Sequence, residues 1–174
     1  MAMTRLATFA PNDVTVVITQ PDGVSFIVGG FAEDSIVGIE RNSETFMLYT
    51  GADDTNTRIY QANTASRITL SLQQSSSSND ILTTLYQQDA ASRGSAGLFS
   101  ISVVDNSGRS NYFAEEAYIA VVPNSQFANS MQLREWVIEA PRLETYIGGN
   151  SIFSAEDQGV LEQLGVTINP RWTV

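Results

Sequence analysis

The chain has 174 residues and a formal charge of −10, with nine basic residues against nineteen acidic ones and 43% apolar content. That is enough to bury the core of one ordinary globular domain without staples. Cysteine, histidine and lysine are all missing, which excludes disulfides, thiol catalysis, cysteine- or histidine-ligated metals, Schiff-base chemistry and a phosphate-binding loop lysine. A surface this acidic repels nucleic acid at ordinary salt. No apolar run is long enough for a membrane-spanning helix. The stretch from Met1 to Ala10 is too short and weakly apolar for a secretory signal, so the expectation is use without export through a membrane.

In chain order, Val14, Val16 and Ile18 alternate with polar residues over Asp13 to Thr19, and Pro21-Asp22-Gly23 signals a turn into a second strand, Val24 to Val28. Gly29-Gly30 breaks it. Ser35 to Thr50 reads as strand interrupted near Asn42-Ser43. Gly51 to Thr57 is polar and turn-rich, a projecting loop between Phe46–Thr50 and the strands from Arg58 onward. Arg67 to Gln73 alternates strictly, with Ile68, Leu70 and Leu72 on one side and Thr69, Ser71 and Gln73 on the other.

The apolar spacing then changes to Ile81, Leu82 and Leu85, one face of a central helix over about 77–93. Ser77 and Asp80 form an acidic variant of the capping box, and Gly94 offers a stop. Leu98 to Val104 and Tyr112 to Val122 read as a hairpin closed at Asp105–Gly108, with Ala117, Ile119 and Val121 on one side. Leu133 to Glu139 alternates Leu133, Glu135, Val137 and Glu139 against Arg134, Trp136 and Ile138. Tyr146 and Ile147 end the sheet at Gly148-Gly149. A short C-terminal helix over about 154–164 is capped by Ser154 and Asp157, packs through Val160, Leu161 and Leu164, and stops at Gly165; Val166 to Ile168 forms a last short strand. The fold class is mainly β: a barrel or sandwich of short antiparallel strands with that central helix.

Candidate sites are few. Glu115-Glu116 offers two carboxylates, but neighbours in a strand face opposite sides and cannot flank one glycosidic bond. Asp53-Asp54-Thr55-Asn56 is oxygen-rich but lacks calcium-loop spacing. Gly29-Gly30 and Gly148-Gly149 read as bends rather than anion sites. Trp136 reads as core rather than a stacking platform. Arg41, Arg58, Arg67 and Arg134 read as members of ion pairs rather than phosphate ligands. No catalytic, cofactor or metal site is expected, and the chain reads as a non-enzyme.

The residues Gly30-Phe31-Ala32-Glu33-Asp34, Glu40-Arg41-Asn42, Leu70-x-Leu72-Gln73-Gln74, Ser78-Asn79-Asp80, Val104-Asp105-x-Ser107-Gly108, Arg134-Glu135-Trp136 and Tyr146 to Asn150 stand in a colinear order that resembles the tail tube proteins of contractile-tailed bacteriophages. The likeness spans about residues 13 to 150. It implies a fold similar to that of the haemolysin-coregulated tube protein, with six copies in a ring and rings stacked into the inner tail tube, the conduit for DNA ejection. It implies a tail-tube-like domain over 1–150, a C-terminal extension over 151–174 packed on or between subunits, and a ring-stacking role for Gly51, Ala52, Asp53, Asp54, Thr55, Asn56 and Thr57. The implied partners are further copies of the chain, the tail sheath, and baseplate and tail-terminator proteins. Tape-measure protein and genomic DNA would pass through the lumen without specific binding. The protein would reside in the virion tail, assembled in the host cytoplasm, with no cofactor and no membrane contact. The alternatives are another virion ring protein of the same fold, a tail terminator or baseplate adapter, or a carbohydrate- or cell-binding module, which requires Tyr49, Tyr60, Tyr86, Tyr112 and Trp172 to cluster on the surface.

Overall fold

The structure, a computed structural model, describes residues 6–173. After a turn of 3-10 helix at Pro11–Asp13, ten strands and two helices follow: β1 (Val14–Thr19), β2 (Ser25–Ile27), β3 (Val37–Arg41), β4 (Phe46–Thr50), β5 (Asn56–Tyr60), β6 (Ser66–Gln73), α1 (Ser78–Ser92), β7 (Phe99–Asp105), β8 (Asn111–Val121), β9 (Leu133–Ala140), β10 (Glu144–Tyr146) and α2 (Ala155–Gln163). All named pairings are antiparallel, in the order β2-β1-β7-β8-β9-β6-β3, with β10 beside β8 and β4-β5 as a separate ribbon. No helix among the described residues is long and apolar enough to cross a membrane.

The eleven-residue strand β8 belongs to both halves of this sheet. Its first part pairs with β7, and its last residues pair with β9. Two bulges make the change of partner possible. Between Phe99↔Ala117 and Ile101↔Ala114, β8 carries an extra residue at Glu115-Glu116, and a second irregularity falls between Ile119 and Val121. Each extra residue bends and twists the strand, so the two halves face each other across one core, as in a sandwich. That core joins Val16 and Ile18 of β1, Ile68, Leu70 and Leu72 of β6, Ile101 of β7 and Trp136 and Ile138 of β9.

The strand alternation read for β6 and β9 holds: Ile68, Leu70, Leu72 and Ile138 are completely buried. The bulges break it in β8. Ala117 and Ile119 are buried, but Val121 turns outward, contrary to the regular alternation expected there.

The segment from Val28 to Ala32 joins the two ends of the sheet. The Val28 N–H donates to Val16 O, the Ala32 N–H donates to Ser71 O, and Gly30 O accepts from the Gln73 N–H at 2.7 Å. Gly30 has φ +71°, and a Cβ there would stand 2.6 Å from Cβ of Ser76, so both backbone freedom and close approach require glycine. Gly29-Gly30 is therefore a bend, as read.

α1 runs from the end of β6 to the start of β7 and inserts Leu82 and Leu85 into the core, while Ile81 stays partly exposed. Its start differs from the expected capping box: Ser77 makes no side-chain cap bond and has helical dihedrals. The serines are used on Gly29 instead. Ser76 Oγ donates to Gly29 O at 2.6 Å, and Ser78 Oγ accepts from the Gly29 N–H at 3.0 Å. Asn79 bonds Gln73 O and Ser76 O through its amide and accepts the Trp136 indole N–H at 2.9 Å. The left-handed position after the helix is held by Arg93 (φ +51°) rather than by Gly94.

At the other helix the expected cap is present. Ser154 and Asp157 form a full capping box, and Gly165 stops the helix at φ +80°. The packing expected of α2 is not found: none of its residues is buried, and Val160 and Leu164 are exposed. Val166 to Ile168 is not a strand.

Truncating a buried β6 side chain removes packing from both sheet halves. Leu70→Ala should cost about 2–5 kcal/mol, read as a lowered midpoint in urea unfolding; a change under about 0.5 kcal/mol would show that the core does not close over β6 as described.

Candidate assembly surfaces

The ribbon β4-β5 leaves the body at the end of β3 and returns at the start of β6, with Gln61 N–H donating to Thr45 O at its base. Register places Phe46, Leu48, Arg58 and Tyr60 on one face and Met47, Tyr49, Thr57 and Ile59 on the other. Every residue of both strands is exposed. Phe46 and Tyr60 pack at 5.6 Å between ring centroids, and the Arg58 guanidinium sits 4.3 Å from the Phe46 ring. A lone two-stranded ribbon is marginal in water, and an apolar patch on both faces marks a surface that needs a partner.

Of the expected loop, Gly51 to Thr55 is the turn, while Asn56 and Thr57 already belong to β5. The Gly51 N–H donates to Thr55 O at 2.8 Å, and Asp54 takes φ +63°. Asp53 accepts from Thr55 Oγ1 at 2.7 Å and from the Thr55 N–H at 3.3 Å. The hydroxyl bond first, and the backbone bonds after it, hold the Asp53 carboxyl below its ordinary pKa of 3.8. The oxygen-rich turn is thus an internally bonded tip, and among the described residues no cluster of metal-ligating side chains occurs.

A second apolar area lies where β8 ends. Val121, Val122, Phe127, Met131 and Leu133 are all exposed there, and Arg134 is buried among them. Its guanidinium reaches only the carbonyl oxygens of Gln126 and Leu133, each at 3.3 Å, and lies over Phe127. Of the four arginines read as ion-pair members, Arg67 alone has a carboxylate in reach among the described residues, Glu139 at 2.8 Å.

The third feature is the C-terminal segment. Arg109, at the β7–β8 turn, lies between the rings of Phe153 (4.0 Å) and Trp172 (4.6 Å) and donates to Ser151 O at 2.7 Å. Burial lowers its pKa from the usual value, opposed by Tyr146. The Phe153 N–H donates to Trp172 O. Gly148 must be small here, since a Cβ would lie 2.5 Å from Cβ of Arg109. This clamp was not visible in the sequence because its members stand far apart; the Gly148-Gly149 bend was the only local hint.

The catalytic reading of Glu115-Glu116 needs a corrected reason. The bulge turns both side chains outward on the same side of β8, so the argument from strand alternation does not hold. Trp136 is core, as expected. Tyr86 and Tyr112 pack against the core and Trp172 is buried, so the aromatic cluster required of a carbohydrate-binding module does not form.

The family model described as bacteriophage PhiTE tail tube protein matches residues 6–148. The chain belongs to that tail tube family. It is also 47% identical to the structural protein ORF10 of Pseudomonas phage KPP10 over 169 residues, covering 97% of this chain and 98% of that one. Among solved structures, the anti-feeding prophage tube-terminating cap aligns with TM-score 0.48 at 13% identity, over 84% of this chain and 99% of the other. The PVC sheath/tube terminator aligns with TM-score 0.46 at 12% identity, over 82% and 99%. Membership of the tail tube family gives this chain a structural, non-enzymatic role in the phage tail. The family match stops at residue 148, just before the segment clamped by Arg109.

Two measurements test these geometries. In an NMR titration the Asp53 carboxyl should show a midpoint below 3.8. Because its folded pKa is depressed, the turn's bonds are intact above that ordinary value and are lost as pH falls through the folded midpoint; a midpoint at or above 3.8 would contradict the bonding described. Arg109→Ala should raise deuterium uptake across 151–173 and cost about 1–2 kcal/mol. Unchanged protection would mean that the clamp does not hold the segment.

Proposed function

We propose that copies of this chain close into six-membered rings and that the rings stack into the inner tube of a contractile tail, through which the genome leaves. The observation that carries this reading is the β4-β5 ribbon, apolar on both faces and unsupported by its own chain. Such an arm gains stability only when neighbouring copies cover it, and a self-assembling tube provides neighbours on several sides. Family membership supports a tube rather than an unrelated assembly.

The formal charge of −10 supports an acidic lumen, past which DNA and a tape-measure protein slide without adhering; like charges repel, and salt limits the range to about 8–10 Å. Sheath, baseplate and terminator proteins complete the assembly, which forms in the host cytoplasm. The Gly51–Thr57 tip reaches the next ring, and residues 151–173 pack on the outer wall or against a neighbouring subunit.

Purified protein at high concentration should form tubes or stacked six-fold rings under negative-stain electron microscopy. Leu48→Glu should abolish them while leaving the unfolding midpoint of the monomer within about 0.5 kcal/mol, as expected for a surface change. Single rings that never stack would reassign the chain to a terminator or adapter, and monomers at every concentration would overturn the reading. An assembled tube with a neutral or basic lumen would sink the charge argument alone.

A further inference from the structure

The groove beside the end of β8 and the start of β9 has a volume of about 420 Å³, and its lining includes Val121, Val122, Asn124, Leu133, Arg134 and Glu135. Arg134 is more than nine-tenths buried, yet among the described residues no carboxylate comes within ion-pairing distance. A buried guanidinium held by two long carbonyl contacts is electrostatically incomplete. Its remaining donors suit a planar carboxylate. Glu135 does not supply one. It is exposed and lines the groove as well, on the same strand face as Leu133, but stands outside ion-pairing distance of the guanidinium.

The same chain carries a segment with the complementary chemistry. The ribbon β4-β5 is an apolar arm that ends in Asp53-Asp54. Asp53 is engaged with Thr55, whereas Asp54 makes no side-chain hydrogen bond among the described residues. Groove and arm stand at opposite ends of the sheet. Leu133 pairs with Gln73 at one end of β6, and the arm leaves next to Ser66 at the other. Seven residues of strand separate them, about 23 Å. The arm therefore leaves the body at the end of β6 farthest from its own groove, and a second copy placed head to tail presents a groove to it.

We propose that the tip of the β4-β5 arm inserts into the β8–β9 groove of a second copy, where the Asp54 carboxylate pairs with the buried Arg134 guanidinium. The proposal rests on the tube reading above and names the receiving surface of its stacking contact. The apolar stem of the arm covers Val121, Val122 and Leu133, and exclusion of water strengthens the ion pair. The contact is heterologous: tip and groove are different surfaces, so each copy keeps one of each free for the next, and the assembly propagates.

The chain has no cysteine, so the introduced thiols are the only ones present. Ala52→Cys at the tip and Asn124→Cys at the groove would be purified separately, mixed under assembly conditions and oxidised. A disulfide joining the two different variants, in excess over either variant alone, supports the proposal. Tubes that form without that mixed disulfide overturn it and leave the tube reading standing. Wild-type protein that never assembles, with no mixed disulfide, overturns both. As a second readout that spares the buried arginine, Asp54→Asn keeps a residue tolerant of φ +63°. It should raise the concentration needed for assembly roughly tenfold or more; an unchanged concentration would count against the pairing.

Discussion

The architecture depends on the bent strand β8. A strand that pairs with β7 through its first half and with β9 through its last residues must change direction, and its two bulges supply that bend. Because of it, the half-sheets enclose one core, and β10 takes the place beside the first part of β8 that β9 would otherwise occupy. The same bulges turn Glu115, Glu116 and Val121 outward. Closure at the free ends is left to the Val28–Ala32 segment and the serines that staple it to α1.

Around this body the chain spends its apolar residues unusually. An arm with two apolar faces, the apolar rim of the β8–β9 groove and the exposed edge of α2 all remain uncovered in one copy. A monomeric enzyme would gain nothing from such surfaces and would risk aggregation. A subunit that must be tiled by its neighbours requires them. The absence of histidine, cysteine and lysine fits the same logic, because repeated contacts need shape and burial rather than reactive groups. Family membership and the physical reading of the surface therefore agree on an assembling structural protein.

The segment after residue 148 stands apart. Its helix contributes nothing to the core, and its attachment is concentrated in Arg109, held between two aromatic rings at the turn joining β7 and β8. A segment held by so local a contact can be added to a tube body without redesigning the body. The phage KPP10 relative aligns across it as well, so it is shared within that pair.

Much of the body was legible in the sequence. Strict alternation located β6 and β9, turn residues located the β1-β2 and β7-β8 hairpins, and the change of period at Ile81 located α1. These are local signals, set by backbone geometry and the need to bury one face. The expected capping box at Ser77 failed because its neighbours Ser76 and Ser78 bond a distant backbone, Gly29, while Ser77 itself takes helical dihedrals, so tertiary bonds outweighed the local motif. Glu115-Glu116 was misread because a bulge is decided by which partners a strand must reach. The arm was read as a projecting loop between two stretches of strand, and only pairing in space shows those stretches to form a ribbon apart from the body, because its residues lack a core to alternate against. Composition and periodicity alone determined a β-rich, unreactive, acidic protein. Tertiary structure decided where the apolar residues without a home would stand, because that depends on which strands meet.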